Sequence, residues 1–359
     1  MGSRKARRGE TAAGPISLET AEAYREAGRL NEALPLLEQA LSYYVQNFGA
    51  RDPDTSTVRV YLAAAYQQSG RLRDAIPLFE TALADTERML GAGHPHTLAC
   101  RTNLAGAYQD AGDLRQAITM LERALADAKQ LMGSYDPDTL TIQSNLATAY
   151  LEAENPGQAI PLSEQTLADR ARVLGALHPD TLTSCNNLAR AYQEAGRLDE
   201  AIRLFTSTMN ASERERGGDH PDTLEVRGNL ADAYRDAGRL DEAISLLRTT
   251  LAVAEQVLGP RHPDCMILRN NLAGYCQDAG DPLPAVLAEP SGEFAGPADR
   301  AQPAFGLLAY AGGGDDEQPV TRAQHGVRRG DESLVVADDQ GDVGLGRQPQ
   351  FEDLYPVHP

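Results

Sequence analysis

The sequence predicts an all-α fold, a solenoid in which pairs of antiparallel helices stack along the chain. Three observations carry this. A proline-centred tetrapeptide recurs at a fixed step of 42 residues, as DPDT at 52, HPHT at 94, DPDT at 136, HPDT at 178 and 220, and HPDC at 262. The text between these marks repeats in register: LTSCNNLARAYQEAGRLDEAIRLF from Leu182 aligns with LEVRGNLADAYRDAGRLDEAISLL from Leu224. Within a unit the apolar residues fall at helical spacing, and self-similarity at one fixed period marks an array of identical supersecondary units.

Each unit opens with a first helix. In the fifth, Leu182, Cys185, Leu188, Ala189, Tyr192 and Ala195 lie one, three or four apart and form one apolar stripe. The tyrosine keeps its phase at Tyr24, Tyr66, Tyr108, Tyr150, Tyr192 and Tyr234. Gly196 ends this helix, in a column with Gly28, Gly70, Gly112, Gly238 and Gly280 that only Glu154 breaks. A second helix follows, with Leu198, Ala201, Ile202, Leu204 and Phe205 as its apolar core. A further column (Gly49, Gly91, Gly133, Gly175, Gly217, Gly259) stands where a left-handed C-terminal cap is expected.

The tetrapeptide then restarts the helix. Pro179 holds His178 extended and prevents the second helix from continuing. Asp180 or Thr181 is expected to cap the next helix by accepting from its free N–H groups, and the Asp222-to-Glu225 spacing allows a capping box. His beside Asp also suggests acid–base or metal chemistry. Asp136 stands where His178 stands, however, so imidazole is not required, and the motif reads as a helix start signal.

The helix pair built on Leu188, Ala189, Tyr192, Gly196, Ala201 and Phe205 resembles the tetratricopeptide repeat. The 42-residue step, the NNLA-x-x-Y core and the G-x-x-HPDT junction are similar to its kinesin light chain subtype and bacterial relatives. The resemblance implies a right-handed α-solenoid of tetratricopeptide helix-turn-helix repeats, the first helix of each pair lining the concave side. A lone pair cannot bury its stripe, whereas stacked neighbours share a continuous core. The expected organisation is a disordered N-terminus over 1–14, six 42-residue repeats plus a degenerate seventh over 15–285, and a Gly/Pro-rich acidic disordered tail over 286–359. The fourth unit departs from the pattern at Glu154, Asn155 and Pro156. In the seventh, Tyr275 and Cys276 stand where Ala and Tyr belong, and Pro282 and Pro284 follow, so only its first helix reads as sound.

Composition excludes several classes. The chain has 359 residues with 33 Lys plus Arg against 52 Asp plus Glu, a net charge of −19. That charge argues against nucleic-acid binding and favours basic partners. No apolar run approaches the roughly 20 residues that span a bilayer. Cys100, Cys185, Cys265 and Cys276 show no CxxC pairing and read as reduced thiols of a cytoplasmic protein. A G-x-x-x-x-G-K-[ST] loop and an HExxH motif are both missing, and His94 and His96 read as surface imidazoles, so no cofactor or metal is expected.

One polar constellation stands out. Asn103, Asn145, Asn187, Asn229 and Asn271 form a column beside the apolar stripe of the first helices. In tetratricopeptide proteins an asparagine at this place faces the groove and bonds a bound peptide's backbone, and a carboxamide offers both donor and acceptor for that purpose. Asn186 and Arg190 extend the same face, and Asp110, Glu152, Glu194, Asp236 and Asp278 form an acidic row along it. The alternative for the asparagines is a bond to the neighbouring helix, and for the acids a solvated face. The resulting expectation is a non-catalytic scaffold that holds a protein or peptide ligand, basic in character, at Asn103, Asn145, Asn187, Asn229, Asn271, Asn186, Arg190, Glu194 and Asp236. The alternative is the sensor arm of a signalling ATPase or transcription regulator, acting in trans or truncated from it. The outer edge of the last repeat is expected to be covered by residues 282–290 or by a second copy, giving a homodimer.

Overall fold

A computed structural model describes residues 18–280, and these form thirteen α-helices. The expected N-terminus at 1–14, the tail at 286–359 and the second helix of the seventh repeat lie outside the described residues. The first helices of the pairs are α1 (Leu18–Glu26), α3 (Pro53–Gln68), α5 (Pro95–Asp110), α7 (Pro137–Glu152), α9 (Pro179–Glu194), α11 (Pro221–Asp236) and α13 (Pro263–Ala279). The second helices are α2 (Leu30–Phe48), α4 (Leu72–Leu90), α6 (Leu114–Leu131), α8 (Pro156–Leu174), α10 (Leu198–Arg216) and α12 (Leu240–Val257). The chain forms two compact units, one running to Ala149 and the other starting at Tyr150.

From α1 to α6 in the first unit, and from α8 to α13 in the second, each helix packs on the next in sequence. Successive first helices also touch, α1 on α3 and α3 on α5 in one unit, α9 on α11 in the other, so the first helices form an inner layer. The alanine column of the second helices is buried throughout. Ala33, Ala75, Ala117, Ala159, Ala201 and Ala243 are all 0% exposed, a packing that a larger side chain would force apart. Around them the first unit buries Leu37, Phe79 and Leu104, and the second buries Leu188, Phe205, Leu230 and Leu247.

Polar side chains lock three of the pairs to the one before. The tyrosine of a first helix donates to a carboxylate 28 residues earlier on the preceding second helix: Tyr66 to Glu38 at 2.6 Å, Tyr108 to Glu80 at 2.6 Å and Tyr192 to Glu164 at 2.8 Å. Burial, then the carboxylate, pushes the Tyr66 and Tyr108 phenols up to about 12, so they remain donors at neutral pH. An arginine five residues on lies over the ring, as Arg71 does over Tyr66 and Arg197 over Tyr192, both at 4.2 Å.

A second set of arginines was legible only as a column in phase. Arg59 bonds Asp85 and the Ala50 carbonyl. Arg101, 1% exposed, pairs with Asp127 at 2.7 Å and Glu87 at 2.9 Å and also reaches the Ala92 carbonyl. Arg227 pairs with Glu213, and Arg269 with Glu255 and the Pro260 carbonyl. Cys185 occupies this position in the fifth repeat, and there Arg170 comes across from α8 to the Asp180 carbonyl and Ser184 Oγ. Through the Ala50, Ala92 and Pro260 carbonyls, Arg59, Arg101 and Arg269 fasten the junction to its flanking helices, and a buried charge persists only when it is paired in this way.

The junctions correct the expected cap. The cap of α9 is His178 itself, extended at φ −62° and ψ 142°, whose Nδ1 accepts from the Asp180 N–H at 3.2 Å. Asp180 and Thr181 already lie inside the helix, so the Asp222-to-Glu225 frame starts too late for a capping box. His94, His220 and His262 cap in the same way, and Asp52 and Asp136 do it with Oδ1. Thr181 Oγ1 instead donates back to the Gly175 carbonyl at 2.8 Å, closing the junction. His96 is buried within α5, not a surface imidazole, and burial followed by the neighbouring His94 lowers its pKa.

The two glycine columns differ in conformation. Gly196, after the first helix, has φ 75°. Gly175, after the second helix, has φ 95° with ψ 156°, an extended mirror-image conformation rather than the left-handed helical one expected. Glu154 takes the place of glycine in the first column and keeps its backbone, at φ 54°. The hydrogen bonds around it are those of the other repeats: Glu154 N–H to the Leu151 carbonyl and Asn155 N–H to the Tyr150 carbonyl.

Candidate functional site

The inner layer of first helices presents the polar face singled out in the sequence, and the two units present it differently. In the unit ending at Ala149, Asn103 and Asn145 are 1% and 6% exposed, and both are engaged with neighbouring groups. Asp110 accepts from Gln67 Nε2 at 2.6 Å, a bond from one first helix to the next. Burial raises the Asp110 carboxyl and this bond opposes the rise. The acidic residue here serves as a tie between adjacent repeats.

The unit starting at Tyr150 leaves more of the face open. Asn187, Asn229 and Asn271 are half-buried, one on each of α9, α11 and α13. Asn229 Nδ2 donates to Asn186 Oδ1 at 3.1 Å, and Asn186 Nδ2 donates to Glu225 Oε1 at 3.3 Å, so the nearly buried Asn186 is spent between repeats. Asn187 and Asn271 make no hydrogen bond of this kind among the described residues. Arg190 is half-buried one turn below Asn186 and its charge favours ionised Glu225, although burial is the larger effect and raises that carboxyl.

At the far end of the same face, Gln193 Nε2 donates to Asp236 at 2.6 Å, repeating the Gln67–Asp110 tie. Arg235 pairs with Asp236 at 2.7 Å and lies over the Tyr275 ring at 5.1 Å, and the Tyr275 hydroxyl donates to Asp232. Glu194 is exposed and Asp278 is exposed. The structure thus brings Asn186, Asn229, Arg190 and Glu225 together, with Asn187 and Asn271 beside them on the same inner layer. The glutamine-to-acid ties went unread in the sequence because their partners stand 43 residues apart. Their signal was present, as glutamine one residue before the acid at Gln109, Gln193 and Gln277, and in the same phase at Gln67.

Chemically this is a surface of carboxamides, one guanidinium and carboxylates, alternating donors and acceptors at the spacing of adjacent helices. Such a set can read the amide groups of an extended chain. Among the described residues, no group of three His, Cys, Asp or Glu side chains is placed to hold a metal ion, and no helix is long and apolar enough to cross a membrane.

Comparison with known proteins gives a concordant result. A family model described as tetratricopeptide repeat matches residues 16–88, 55–130, 138–214, 186–256 and 222–288. Among solved structures, a Podosopora anserina protein of nearly identical TPR-like repeats, named for kinesin light chain, is 33% identical with a TM-score of 0.50, covering 57% of this chain and 97% of its own. BtubC (BKLC) from P. vanneervenii is 20% identical, with a TM-score of 0.52 over 69% of this chain and 94% of its own. A signal transduction ATPase with numerous domains that has a tetratricopeptide repeat sensor, from Pyrococcus horikoshii, is 17% identical, with a TM-score of 0.54 over 74% of this chain and 39% of its own. The last two likenesses are of fold alone. No curated protein matches the chain.

Proposed function

The chain belongs to the tetratricopeptide repeat family, and on that premise we propose that it is a non-catalytic interaction module that holds an extended peptide or partner segment on the first-helix face. The observation that supports this best is in the unit starting at Tyr150. Asn187 and Asn271 are half-buried carboxamides with no bond to a described neighbour, on either side of the bonded Asn229. A buried or half-buried amide without a partner is costly unless water or a ligand satisfies it, so these side chains favour a polar occupant. Arg190 is the donor for a carbonyl or carboxylate, while Glu194, Asp236 and the net charge of −19 favour basic side chains on the ligand.

Peptide display against the full chain, followed by calorimetry of the selected sequences, tests this reading. Enriched basic peptides that lose affinity on Asn187→Ala would support it. Selected peptides that bind equally well to Asn187→Ala and Asn271→Ala would remove the face from consideration. Action as the sensor arm of a signalling ATPase in trans uses the same face with a particular partner, and co-purification of such an ATPase from the cytoplasm would distinguish it. Pairing of two copies through the last repeat is a separable part of the proposal. Met266 on α13 is 50% exposed, and sedimentation of wild type against Met266→Glu reads the pairing directly.

A further inference from the structure

Among the described residues, the end of α2 is less covered than the ends of the later second helices. On the second helices, Thr86, Ala128, Arg170, Ser212 and Ala254 share one phase and are at most 5% exposed. The residue of α2 in that phase is Tyr44, and it is only half-buried. Thr86 is covered from the first half of α5, where it bonds the Cys100 thiol. Val58 of α3 holds the phase of Cys100 against α2, but the first helix of the same pair differs: Arg59 of α3 bonds Asp85 near the end of α4, and the residue in phase with Arg59 is Ser17, which precedes Leu18, the first residue of α1.

The last two turns of α2 consequently present an aromatic cluster. The ring centroids of Tyr43 and Tyr44 are 5.9 Å apart, those of Tyr43 and Phe48 6.3 Å, and those of Tyr44 and Phe48 5.2 Å. Phe48 is 54% exposed and Val45 37%. The surroundings are acidic. The last turn of α2 holds no basic residue, although the negative end of a helix dipole favours one. Asp52 caps α3 and Asp54 follows it, and both carboxylates act on the Tyr44 phenol; Arg51 is the neighbouring cation.

We propose that the segment preceding α1, carrying Arg4, Lys5, Arg7 and Arg8, docks on this cluster, its cations against the rings of Tyr43, Tyr44 and Phe48 and beside Asp52 and Asp54. Three arguments select this occupant over a second copy or another protein. Charge is complementary: four cations within five residues meet an acidic aromatic surface. A guanidinium on a tyrosine face is a contact this chain already makes, at Arg29 over Tyr24 (4.4 Å) and Arg239 over Tyr234 (4.4 Å). Reach suffices. The nine residues of α1 span roughly 13 Å and the nineteen of α2 roughly 28 Å, so Leu18 stands roughly 15 Å short of Phe48 along the pair. Ten residues from Leu18 back to Arg8 extend to roughly 33 Å.

A photo-crosslinking residue, p-benzoylphenylalanine, placed at Phe48 of the full chain tests the assignment, since an exposed side chain there holds little of the core. Irradiation followed by Glu-C digestion and mass spectrometry is expected to give a crosslink at monomer mass to the peptide Met1–Glu10. The crosslink should disappear when Arg4, Lys5, Arg7 and Arg8 are replaced by glutamine, and weaken near 1 M salt, where the screening length falls to about 3 Å. A crosslink found only at dimer mass would assign the surface to a second copy and overturn the proposal. So would the absence of any crosslink to residues 1–17, or a crosslink that survives the glutamine substitutions.

Discussion

His178 Nδ1 accepts a hydrogen bond from the backbone N–H of Asp180, two residues on, at 3.2 Å. Asp136 makes the same contact to the Asp138 N–H with a carboxylate at 2.9 Å. Imidazole and carboxylate are interchangeable here because both place an acceptor over the first free N–H of a helix whose next residue is proline. The alternation of His and Asp along the junctions is therefore a choice between two caps.

Loss of that acceptor should be visible in stability. His178→Ala is expected to cost about 0.5–2 kcal/mol, as removal of a side-chain cap does, and His178→Asn should restore most of it. Urea unfolding of the two variants measures both. Equal stability of His178→Ala and wild type would show that the bond contributes nothing in water.

The backbone offers a sharper contrast. Glu154 sits at φ 54°, where its neighbours in phase are glycines. Glu154→Gly should stabilise the chain by about 1 kcal/mol, because a side chain in the left-handed region carries a penalty that glycine escapes. Gly175, at φ 95° and ψ 156°, lies in a region open essentially to glycine alone. Gly175→Ala is thus expected to cost more than Gly196→Ala, of order 1–3 kcal/mol for the former. Thermal melts of the three variants should rank them Glu154→Gly, Gly196→Ala, Gly175→Ala from most to least stable.

The contrast also shows what the sequence could tell. The tetrapeptide marked the start of every first helix from α3 onward, and the two glycine columns marked most helix ends, since a residue type repeated in phase is constrained by backbone alone. The cap at His178 was misplaced because Asp180 and Thr181 are the commoner capping residues, and only Pro179 ahead of them shows that the helix has begun. Which glycine column is left-handed was not legible, for both conformations require glycine equally. Of the polar face, the phase placed Asn187, Asn229 and Arg190 on one layer. It could not show that Asn186 and Asp236 are engaged by Glu225 and Gln193, because those bonds run between repeats and depend on how closely the helices stack.

Asp138 predicts a pH dependence. Burial, reinforced by Asp136, raises its carboxyl to about 6. A carboxyl that holds its proton more tightly in the folded chain favours folding below its ordinary range near 4, and this contribution is lost as pH rises through about 6. Asp138→Asn should accordingly leave the melting temperature unchanged near pH 3.5 and raise it at pH 8. Allowing for solvent screening of a partly exposed group, the gain is about 1 kcal/mol, or about 2–4 °C. A gain of the same size at both pH values would attribute it to something other than the charge.

The groove residues divide by their bonds, and that division is the test of the proposed function. Asn187 and Asn271 bond no described neighbour, so alanine there should leave the melting temperature within about 1 °C, as most surface changes do. Each should weaken a selected peptide by roughly 0.5–1.5 kcal/mol, the net value of one hydrogen bond. Asn186 behaves differently. It accepts from Asn229 and donates to Glu225, so Asn186→Ala removes two inter-repeat bonds and leaves the Glu225 carboxylate without its donor. Stability should fall first in that variant, with binding following it. Arg190→Gln should weaken a peptide through its carbonyl or carboxylate contact, and Glu194→Gln should flatten the salt dependence of a basic one, because exposed charges act over about 8–10 Å at physiological salt. Calorimetry and melts on these five variants separate the roles. If Asn187→Ala lowered stability as much as Asn186→Ala does, its carboxamide would be holding repeats together and the binding face would have to be sought elsewhere.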